Sequence, residues 1–518
     1  MPLAFAAALL PVYVCYLIQP AWGYFHDDGV YIVNALSLVS GSGYRTVSLP
    51  SPLFQTKYPI LYPALLSLVW KVFPAFPENV LAFKSLSMTA GFLWAVAAFR
   101  AIRREPASAA VSFWSVLCTF AAPWTIFLGT SVLPDTLFAL LSVCSILILE
   151  DEPESYRKIA TAAAVAGCTF LLRSAGVALI VSACLFLVAK RRVRCAALFL
   201  AISGAVVSPW LIWQATHSAS LDRVESYYTK FSYAGGHIFH YPVAEALRVV
   251  SFNVPVLLGT LCPVAGSPAT RVHAVVNLLA GIAAVLGLIR FRSWSLPIVW
   301  TVVYCAMLLC WTWPPPRYLT AILPFAFMCL FNAIEKTLLK ARPPWISIVL
   351  WTGVVMAGLL YVITNALSLS RLTRLTLESK TPVYTQTEPD DWSKTLEVAD
   401  WIRSHTPANA IVAANCDPVF YLLTQRKSIR LFSADQFELF YDPDPAKQPL
   451  GGPDDLRRHL KLHQVQYLVM TPMKWYSERA PFEEQLHSLL LAKPQAFTVQ
   501  ARTSDPNYYV LKVDPLNL

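Results

Sequence analysis

Charge is scarce along this chain of 518 residues: 14% of its side chains are charged, whereas soluble domains carry roughly 25%. Hydrophobic residues make up 56% of the sequence, and the mean hydropathy is +0.50. So little charge is not typical of a soluble protein, because too few polar side chains remain to cover its domains. The composition indicates a multi-pass membrane protein.

Three further absences narrow the class of protein. No CxxC motif occurs and most of the 11 cysteines lie in hydrophobic runs, which argues against a disulfide framework or a zinc cluster. The net charge is +10, yet no long basic run with interleaved aromatics is present, so no nucleic-acid partner is predicted. The N-terminus lacks a basic segment and an A-x-A site, so residues 3–22 are predicted to be a retained first helix rather than a cleaved signal.

Long hydrophobic runs recur along the first two thirds of the chain. A transmembrane helix needs about 20 apolar residues, and ~17 are tolerated. Runs of this kind predict about eleven transmembrane helices, near 3–22, 78–99, 108–126, 133–149, 158–172, 174–189, 194–213, 272–290, 294–311, 317–335 and 345–365. The runs on either side of Arg173 predict a tight helical hairpin. The apolar, proline-interrupted segment 251–266 is interpreted as a re-entrant or surface-lying piece.

Basic residues in the short loops predict the orientation. With eleven spans, all the basic clusters fall on one side, predicted to be the cytoplasm; they lie at 100–104, 190–194, 290–292 and 336–342. The opposite, extracytoplasmic face then receives loop 23–77, Arg173, residues 314–318 and the C-terminal tail. We expect a bacterial inner or plasma membrane as the location.

The tail changes in character and predicts a separate domain. We divide the chain into a transmembrane domain, 1–366, and an extracytoplasmic α/β domain, 367–518. Helical spacing occurs at 390–405, 453–463 and 482–491, and short strands are predicted at 410–414, 466–470 and 508–513. This tail holds no glycine-rich phosphate loop, GxSxG or HExxH motif, so the candidate chemistry lies elsewhere.

The first outer loop carries an acidic pair, Asp27 and Asp28, and a lysine, Lys57. Carboxylates next to a bilayer are costly to desolvate, so they usually mark a functional site. Each group precedes a short amphipathic run, near 30–39 and 61–73. Both runs are too short for confident spans and predict helices that lie along the outer membrane interface.

These segments resemble the GT-C glycosyltransferases, and by pattern the nearest groups are the protein O-mannosyltransferases and the lipid A aminoarabinose transferases. The matching segments are HDDGVYIVNALSL (26–38), GSGYR (41–45), QTKYPILYPALLSLVWKVFP (55–74), LPDTLFALL (133–141) and PRYLTAILPF (316–325). The chain departs from the pattern at Asp28, where relatives often have Glu, and at Tyr58, which separates Lys57 from Pro59. The resemblance implies the GT-C fold and leaves the sugar and the acceptor open.

The resemblance implies transfer of a hexose or pentose from a polyprenyl-phosphate donor, with inversion, to a glycan, lipid or protein acceptor. Asp27 then matches the catalytic base, and Asp28 either orients the acceptor or binds a divalent cation such as Mg, Mn or Zn. The alternatives are a helix N-cap for Asp27 and a solvated helix-start charge for Asp28. His26 is interpreted as an interfacial histidine rather than a ligand.

The same resemblance assigns cations to the donor phosphate. Lys57 and Arg317 match phosphate-binding positions, and their neighbours Tyr58 and Tyr318 are placed in the substrate site with them. The alternatives are a lysine that reaches from the membrane interface to water and an arginine in a structural ion pair. Arg173 is a candidate for donor or acceptor binding, with a structural role preferred.

Two further features supply candidate partners for these residues. Asp135 begins a span and is expected to pair with Arg173 or Arg317. The loop 214–250 carries aromatic and histidine side chains that line an acceptor groove in one interpretation and pack at the interface in the other; they are Tyr227, Tyr228, Tyr233, His237 and His240.

Two other classes of function compete with the transferase. A transporter or flippase for a lipid-linked sugar or another amphiphile would place ionisable residues or broken helices in the middle of the bilayer. In this sequence the ionisable residues collect at one predicted edge, which favours an enzyme that faces the membrane surface. The remaining class is an inactive family member that serves as a scaffold, against which the retention of Asp27, Lys57 and Arg317 argues.

Overall fold

The computed structural model is mostly helical and ends in a small sheet domain. It describes residues 2–23, 25–151, 154–217, 228, 242–263, 271–290, 294–313, 315–340, 344–383, 391–431, 441, 453–471 and 482–518.

Helices form the first three quarters of the chain. They are α1 (Pro2–Leu17), α2 (Asp27–Val39), α3 (Leu61–Val72), α4 (Val80–Arg104), α5 (Ala109–Ala121), α6 (Pro123–Gly129), α7 (Asp135–Asp151), α8 (Tyr156–Leu172), α9 (Val177–Ala189), α10 (Val193–His217), α11 (Val243–Leu261), α12 (Arg271–Arg290), α13 (Leu296–Leu309), α14 (Pro316–Leu319), α15 (Leu323–Lys340) and α16 (Pro344–Ser379). Each predicted hydrophobic run therefore contains a helix or a pair of helices.

By length and apolar composition alone, four helices of the described chain are able to cross a membrane. They are Val80–Arg104, Val193–His217, Val243–Leu261 and Pro316–Thr337. The pair α5–α6, bent by 67°, makes a fifth if it counts as one span. This count covers the described residues and is smaller than the predicted number of about eleven, in part because several runs form helices shorter than 18 residues.

Of two local predictions, the hairpin around Arg173 is confirmed and the re-entrant segment 251–266 is wrong. The hairpin around Arg173 is confirmed, since α8 ends at Leu172 and α9 begins at Val177 after a single 3₁₀ turn. The segment 251–266 differs from the predicted re-entrant piece: α11 runs through Pro255 without a break and has the length and apolarity of a span. Proline removes one backbone donor, and the apolar residues on both sides continue the helix.

A contact between the loops places the basic cluster near 100–104 beside the end of α7. Arg104 forms an ion pair with Asp151 at the end of α7. The first amide of α13, at Leu296, donates to Glu150 Oε1 at 2.8 Å. The ends of α4 and α7 and the start of α13 thus meet.

The first outer loop folds as predicted into two helices, α2 and α3. The rings of Tyr31 and Tyr62 meet edge to face with centroids 5.1 Å apart, which packs one helix against the other. Between them, β1 (Arg45–Thr46) and β2 (Leu53–Phe54) form a short antiparallel ladder. The ladder turns the chain back, so residues 55–58 return to the start of α2.

The C-terminal domain is a five-stranded sheet flanked by helices. Its strands are β3 (Ile411–Ala414), β4 (Lys427–Ile429), β5 (Tyr467–Met470), β6 (Phe497–Arg502) and β7 (Tyr509–Val513), and its helices are α17 (Trp392–His405), α18 (Asp417–Thr424), α19 (Pro453–Leu462) and α20 (Phe482–Ala492). The strand order is β4-β3-β5-β7-β6, parallel from β4 to β5 and antiparallel in the β5-β7-β6 part. The preceding helix, α16, continues to Ser379, beyond the predicted boundary at 366.

The helix α18 of this domain packs directly on the chain that leads into α2. Gly23 has φ +86°, and a Cβ built there would lie 2.1 Å from Cγ2 of Val419. The Cys416 thiol donates to the carbonyl oxygen of Gly23 over 3.0 Å. The rings of Trp22 and Trp392 meet nearby, with centroids 5.8 Å apart. Gly23 is therefore required both for its backbone conformation and for its lack of a side chain.

We expect Gly23→Ala to lower the melting temperature of the detergent-solubilised protein by more than Gly41→Ala does. Both glycines have positive φ, so both substitutions add a left-handed alanine, at a cost of about 1–2 kcal/mol. A Cβ at Gly41 meets nothing within 4 Å, whereas one at Gly23 collides with Val419 and adds an overpacking cost of about 1–3 kcal/mol. Equal melting temperatures for the two variants would contradict this packing.

Candidate active site

Asp27 lies at the first position of α2 and is bonded through both carboxylate oxygens. The Tyr58 hydroxyl donates to Oδ1 at 2.6 Å, and Nη1 of Arg317 donates to Oδ2 at 2.9 Å. The described hydrogen bonds of the Asp27 carboxylate thus come from side chains, and the N-cap position of α2 is occupied by His26. The carboxylate is directed away from its own helix and toward residues from distant parts of the sequence.

Arg317 extends this contact to a second carboxylate. Its Nη2 donates to Oδ2 of Asp135 at 3.1 Å, and Asp135 Oδ1 accepts from Arg173. Asp135 begins α7, Arg173 lies in the α8–α9 turn and Arg317 lies in α14, so the helix ends bring them together. Asp135 thus pairs with both arginines that the sequence offered. We call Asp27, Asp135, Arg173 and Arg317 the charge cluster.

Aromatic rings border the guanidinium groups of the charge cluster. The Arg317 guanidinium carbon lies 4.7 Å from the centroid of the Phe25 ring, and that of Arg173 lies 5.0 Å from the Tyr318 ring. The face of an aromatic ring attracts a cation and also limits how a guanidinium can tilt. These rings therefore help to fix both arginines. Tyr318, placed in the substrate site by the sequence, contacts Arg173 directly.

Asp28 has a different environment from its neighbour. It is buried and accepts hydrogen bonds from the amides of Gly23, Phe25 and Gly29, at 2.7, 3.1 and 3.2 Å. Burial raises the pKa of Asp28 to about 6, although these three donors act in the opposite direction. Through these hydrogen bonds the Asp28 side chain holds the loop that precedes α2 in one conformation. It thereby fixes the direction in which the Asp27 side chain points.

The surroundings of Asp28 do not fit a metal ion held by this carboxylate. Its two oxygens already accept three backbone amides, which uses three of the about four acceptor positions of a carboxylate. Among the described residues, no group of three His, Cys, Asp or Glu side chains is arranged to hold a metal.

Lys57 and Tyr58 are held in place by the loop on which they lie. The Gln55 side-chain oxygen accepts from the amides of both residues, at 2.8 and 3.1 Å. From α10, Gln214 Nε2 donates to the Thr56 carbonyl at 2.6 Å. The Tyr58 side chain, bonded to Asp27, thereby connects the charge cluster to Lys57, whose ammonium lies 5.2 Å from the Tyr58 ring.

A mostly apolar cavity of about 360 Å³ adjoins Lys57 and continues between α8, α9 and α10. Lys57, Gln214 and Ser174, the residue after Arg173, lie among its lining residues, and Phe170, Val177 and Val207 supply apolar walls. On the exposed side of α10, Leu200 and Leu211 line it and are themselves exposed. The cavity thus places an ammonium group beside an apolar path between helices.

Sequence reasoning missed the partner of His26. The structure buries this histidine completely and sets its Nε2 2.8 Å from Oδ1 of Asp417, at the start of α18. Burial lowers the pKa of His26 and raises that of Asp417 to about 8, so it favours the uncharged form of each side chain. The interpretation of His26 as an interfacial residue is therefore wrong. Nothing in the sequence links two residues so far apart.

One aromatic residue of the loop 214–250 joins this region. Tyr228 is buried, its ring centroid lies 5.8 Å from that of His26, and its hydroxyl accepts from the Arg430 amide at 3.2 Å. The other residues that the sequence offered for an acceptor groove lie outside the described residues; they are Tyr227, Tyr233, His237 and His240.

The solved structures that the chain resembles share one fold. No protein-family model and no curated protein matches the chain. Among solved structures it is similar to the aminoarabinose transferase ArnT from Cupriavidus metallidurans bound to undecaprenyl phosphate, with a TM-score of 0.57 and 14% identity, over 98% of this chain and 97% of that one. It is also similar to the oligosaccharyltransferase AglB from Archaeoglobus fulgidus, in complex with an inhibitory peptide and a dolichol-phosphate. That match has a TM-score of 0.56 and 11% identity, over 100% of this chain and 74% of that one.

Both structures are GT-C glycosyltransferases. At such low identity the likeness establishes the fold, and it extends over nearly the whole chain. The GT-C fold predicted from the sequence is therefore confirmed.

We expect Asp135→Asn to lower the melting temperature strongly, because it leaves Arg173 and Arg317 side by side without the carboxylate that joins them. Breaking a buried ion pair by removing one partner costs about 3–5 kcal/mol. The matched control is Asp400→Asn, which removes an exposed pair with Arg403 on α17. Thermal unfolding in detergent, followed by tryptophan fluorescence, measures both variants. A shift no larger than that of the control would contradict a structural role for Asp135.

Proposed function

We propose that this protein is a membrane glycosyltransferase that moves a sugar from a polyprenyl-phosphate donor to an acceptor on the extracytoplasmic face. The observation that carries the proposal is the contact of Asp27 with Arg317 and its connection, through Tyr58, to Lys57, which lines a cavity with apolar walls. Reaction at the headgroup of a lipid needs a base, cations for phosphate and an apolar path for the lipid, and these lie together. The solved relatives support it, since one is bound to undecaprenyl phosphate and another to dolichol-phosphate.

The donor lipid would enter along the cavity between α8, α9 and α10. Apolar pockets with a few polar groups at one position both bind and orient a ligand. Here the polar side chains are Lys57, Gln214, Ser174 and Ser203, and most of the other lining residues are apolar. A polyprenyl chain matches the apolar walls, and its phosphate then lies near Lys57.

Lys57 and Arg317 would bind the phosphate together. Lysine contributes a compact charge, whereas arginine offers several donors in a planar arrangement. Both Nη atoms of Arg317 bond carboxylates, but its Nε is buried and has no hydrogen-bond partner among the described residues. A phosphate oxygen in this position would satisfy that donor, which supports the assignment of Arg317 to the donor site.

Asp27 is the proposed general base. Its side chain is 21% exposed, compared with 6% for Asp135, 9% for Arg317 and 13% for Arg173, so it is the member of the charge cluster most open to an acceptor. In the reaction, an acceptor oxygen bonds to the anomeric carbon while the bond from that carbon to the phosphate oxygen breaks. The acceptor proton passes to Asp27, and attack from the side opposite the phosphate inverts the configuration. General-base catalysis of this kind contributes about 10²–10⁴-fold.

We expect Asp27→Asn to reduce transfer by at least about 10²-fold, because the amide cannot accept the proton. Release of polyprenyl phosphate is measured in proteoliposomes from synthetic polyprenyl-phosphate hexoses and pentoses, with membrane extract as the acceptor source. The control is Asp151→Asn, at the opposite end of the helices. Normal transfer by Asp27→Asn would refute the assignment of the base, and movement of the donor across the membrane without transfer would favour a flippase.

Lys57→Ala is expected to raise the KM for the donor about 10-fold or more, since a charge-assisted hydrogen bond to the phosphate is lost. The control is Lys71→Ala at the exposed end of α3. Steady-state kinetics with a fixed acceptor and a varied donor separate KM from kcat. A donor KM equal to that of the control would remove Lys57 from the phosphate site.

A further inference from the structure

The residue before the proposed base has a backbone conformation that needs support. His26 has φ +58°, in the left-handed region that is unfavourable for residues other than glycine. It occupies the N-cap of α2, and its peptide bond leads directly to Asp27. The position of the Asp27 backbone therefore depends on what keeps His26 in this conformation.

The C-terminal domain supplies that support through Asp417. The His26 and Asp417 side chains are 1% and 0% exposed and meet at 2.8 Å. Next to this contact, a Cβ built on Gly29 would lie 2.9 Å from Cβ of Pro418, so the first turns of α2 and α18 touch without space between them. The His26–Asp417 hydrogen bond and the one from Cys416 to the Gly23 carbonyl thus join the loop to the domain inside a closely packed surface.

The hydrogen bond suits a buried environment. Burial favours the uncharged forms of Asp417 and His26, in which one proton serves both atoms and no net charge is buried. The charged groups that face this pair are Lys57, from the candidate donor site, and Arg430, after β4. An asparagine at 417 preserves this neutral hydrogen bond, because its amide can donate where the protonated carboxyl donates.

We propose that Asp417 and His26 are positioning residues: the C-terminal domain, through this pair, holds Asp27 at the place where it accepts the proton. The inference rests on the proposed function and adds that the geometry of the active site depends on a residue of the second domain. A misplacement of about 1 Å at a reacting group can reduce catalysis by about 10²-fold. Loss of the pair therefore acts on kcat and leaves donor binding at Lys57 in place.

The test compares Asp417→Ala, Asp417→Asn and the control Thr424→Ala in the full chain. Thr424 is a buried polar residue at the far end of the same helix, where its hydroxyl donates to the Phe420 carbonyl. We expect Asp417→Ala to lower kcat about 10²-fold with an unchanged donor KM. Asp417→Asn should restore kcat to within a few-fold of wild type, and Thr424→Ala should leave kcat unchanged.

Amide hydrogen exchange in residues 23–31 supplies a readout that needs no substrate. Asp417→Ala should speed exchange there, whereas Thr424→Ala should not. A second pair, His26→Gln and His26→Leu, covers the case in which Asp417→Ala fails to fold: the glutamine amide can bond Asp417 and leucine cannot, so His26→Gln should have the higher kcat.

Three results would overturn the proposal. They are unchanged exchange in Asp417→Ala, faster exchange with a normal kcat, and equal losses of kcat in Asp417→Ala and Thr424→Ala. Absence of donor consumption by the wild-type protein would refute the proposed function itself. The exchange measurement distinguishes that failure, because it reports on the contact without any donor.

Discussion

The bridge that Arg317 makes between Asp27 and Asp135 is the contact on which the candidate site depends. A buried guanidinium is tolerated only with partners, and both of its terminal nitrogens find a carboxylate. The partners begin α2 and α7, so one side chain ties together two helix starts that are separated by more than a hundred residues. Arg173 balances the remaining charge of Asp135. The cluster is electrically neutral, which makes its burial beside a membrane feasible.

A second constraint acts on the loop that carries Asp27. Asp28 gathers three backbone amides, and α18 fits against Gly23 and Gly29, where no side chain larger than hydrogen has room. The loop is therefore shaped from inside by a carboxylate and from outside by the C-terminal domain. The two neighbouring acids thus have different roles. Asp28 stabilises the loop, whereas Asp27 contacts Arg317 and Tyr58.

The helices and the outline of the site were predictable from the sequence because both depend on local patterns. Hydrophobic runs indicated the helices, and short strand-like segments indicated β3, β5 and β7. The short strand β4 and the six-residue β6 were missed, since neither has a strong pattern of its own: β4 has only three residues, and β6 is largely solvent-exposed. The resemblance selected Asp27, Lys57 and Arg317, and the structure brings Asp27 and Arg317 into contact.

Contacts between distant residues could not be predicted from local sequence patterns. From the sequence, Arg173 and Arg317 were alternative partners for Asp135, because residue spacing cannot show that one carboxylate lies between the two arginines. Lys84 is similar: it is buried within α4 and donates to the carbonyls of Gln19 and Ala21, at 2.7 and 2.8 Å, where the chain leaves α1. A lysine in a span looks like a site residue, and only its partners reveal that it holds the chain that follows α1.

The neutrality of the charge cluster has a consequence for the proposed reaction. The donor is a phosphate diester with one negative charge, which Lys57 can match. As the sugar leaves, the phosphate gains a second negative charge, and at the same time Asp27 loses its own charge by accepting the acceptor proton. Arg317, previously shared by Asp27 and Asp135, then has positive charge available for the leaving group. Through this one guanidinium, proton transfer at one end of the reacting centre stabilises the charge that develops at the other. The pairing of base and arginine in the resting site is thus compatible with catalysis, because the reaction itself releases the arginine.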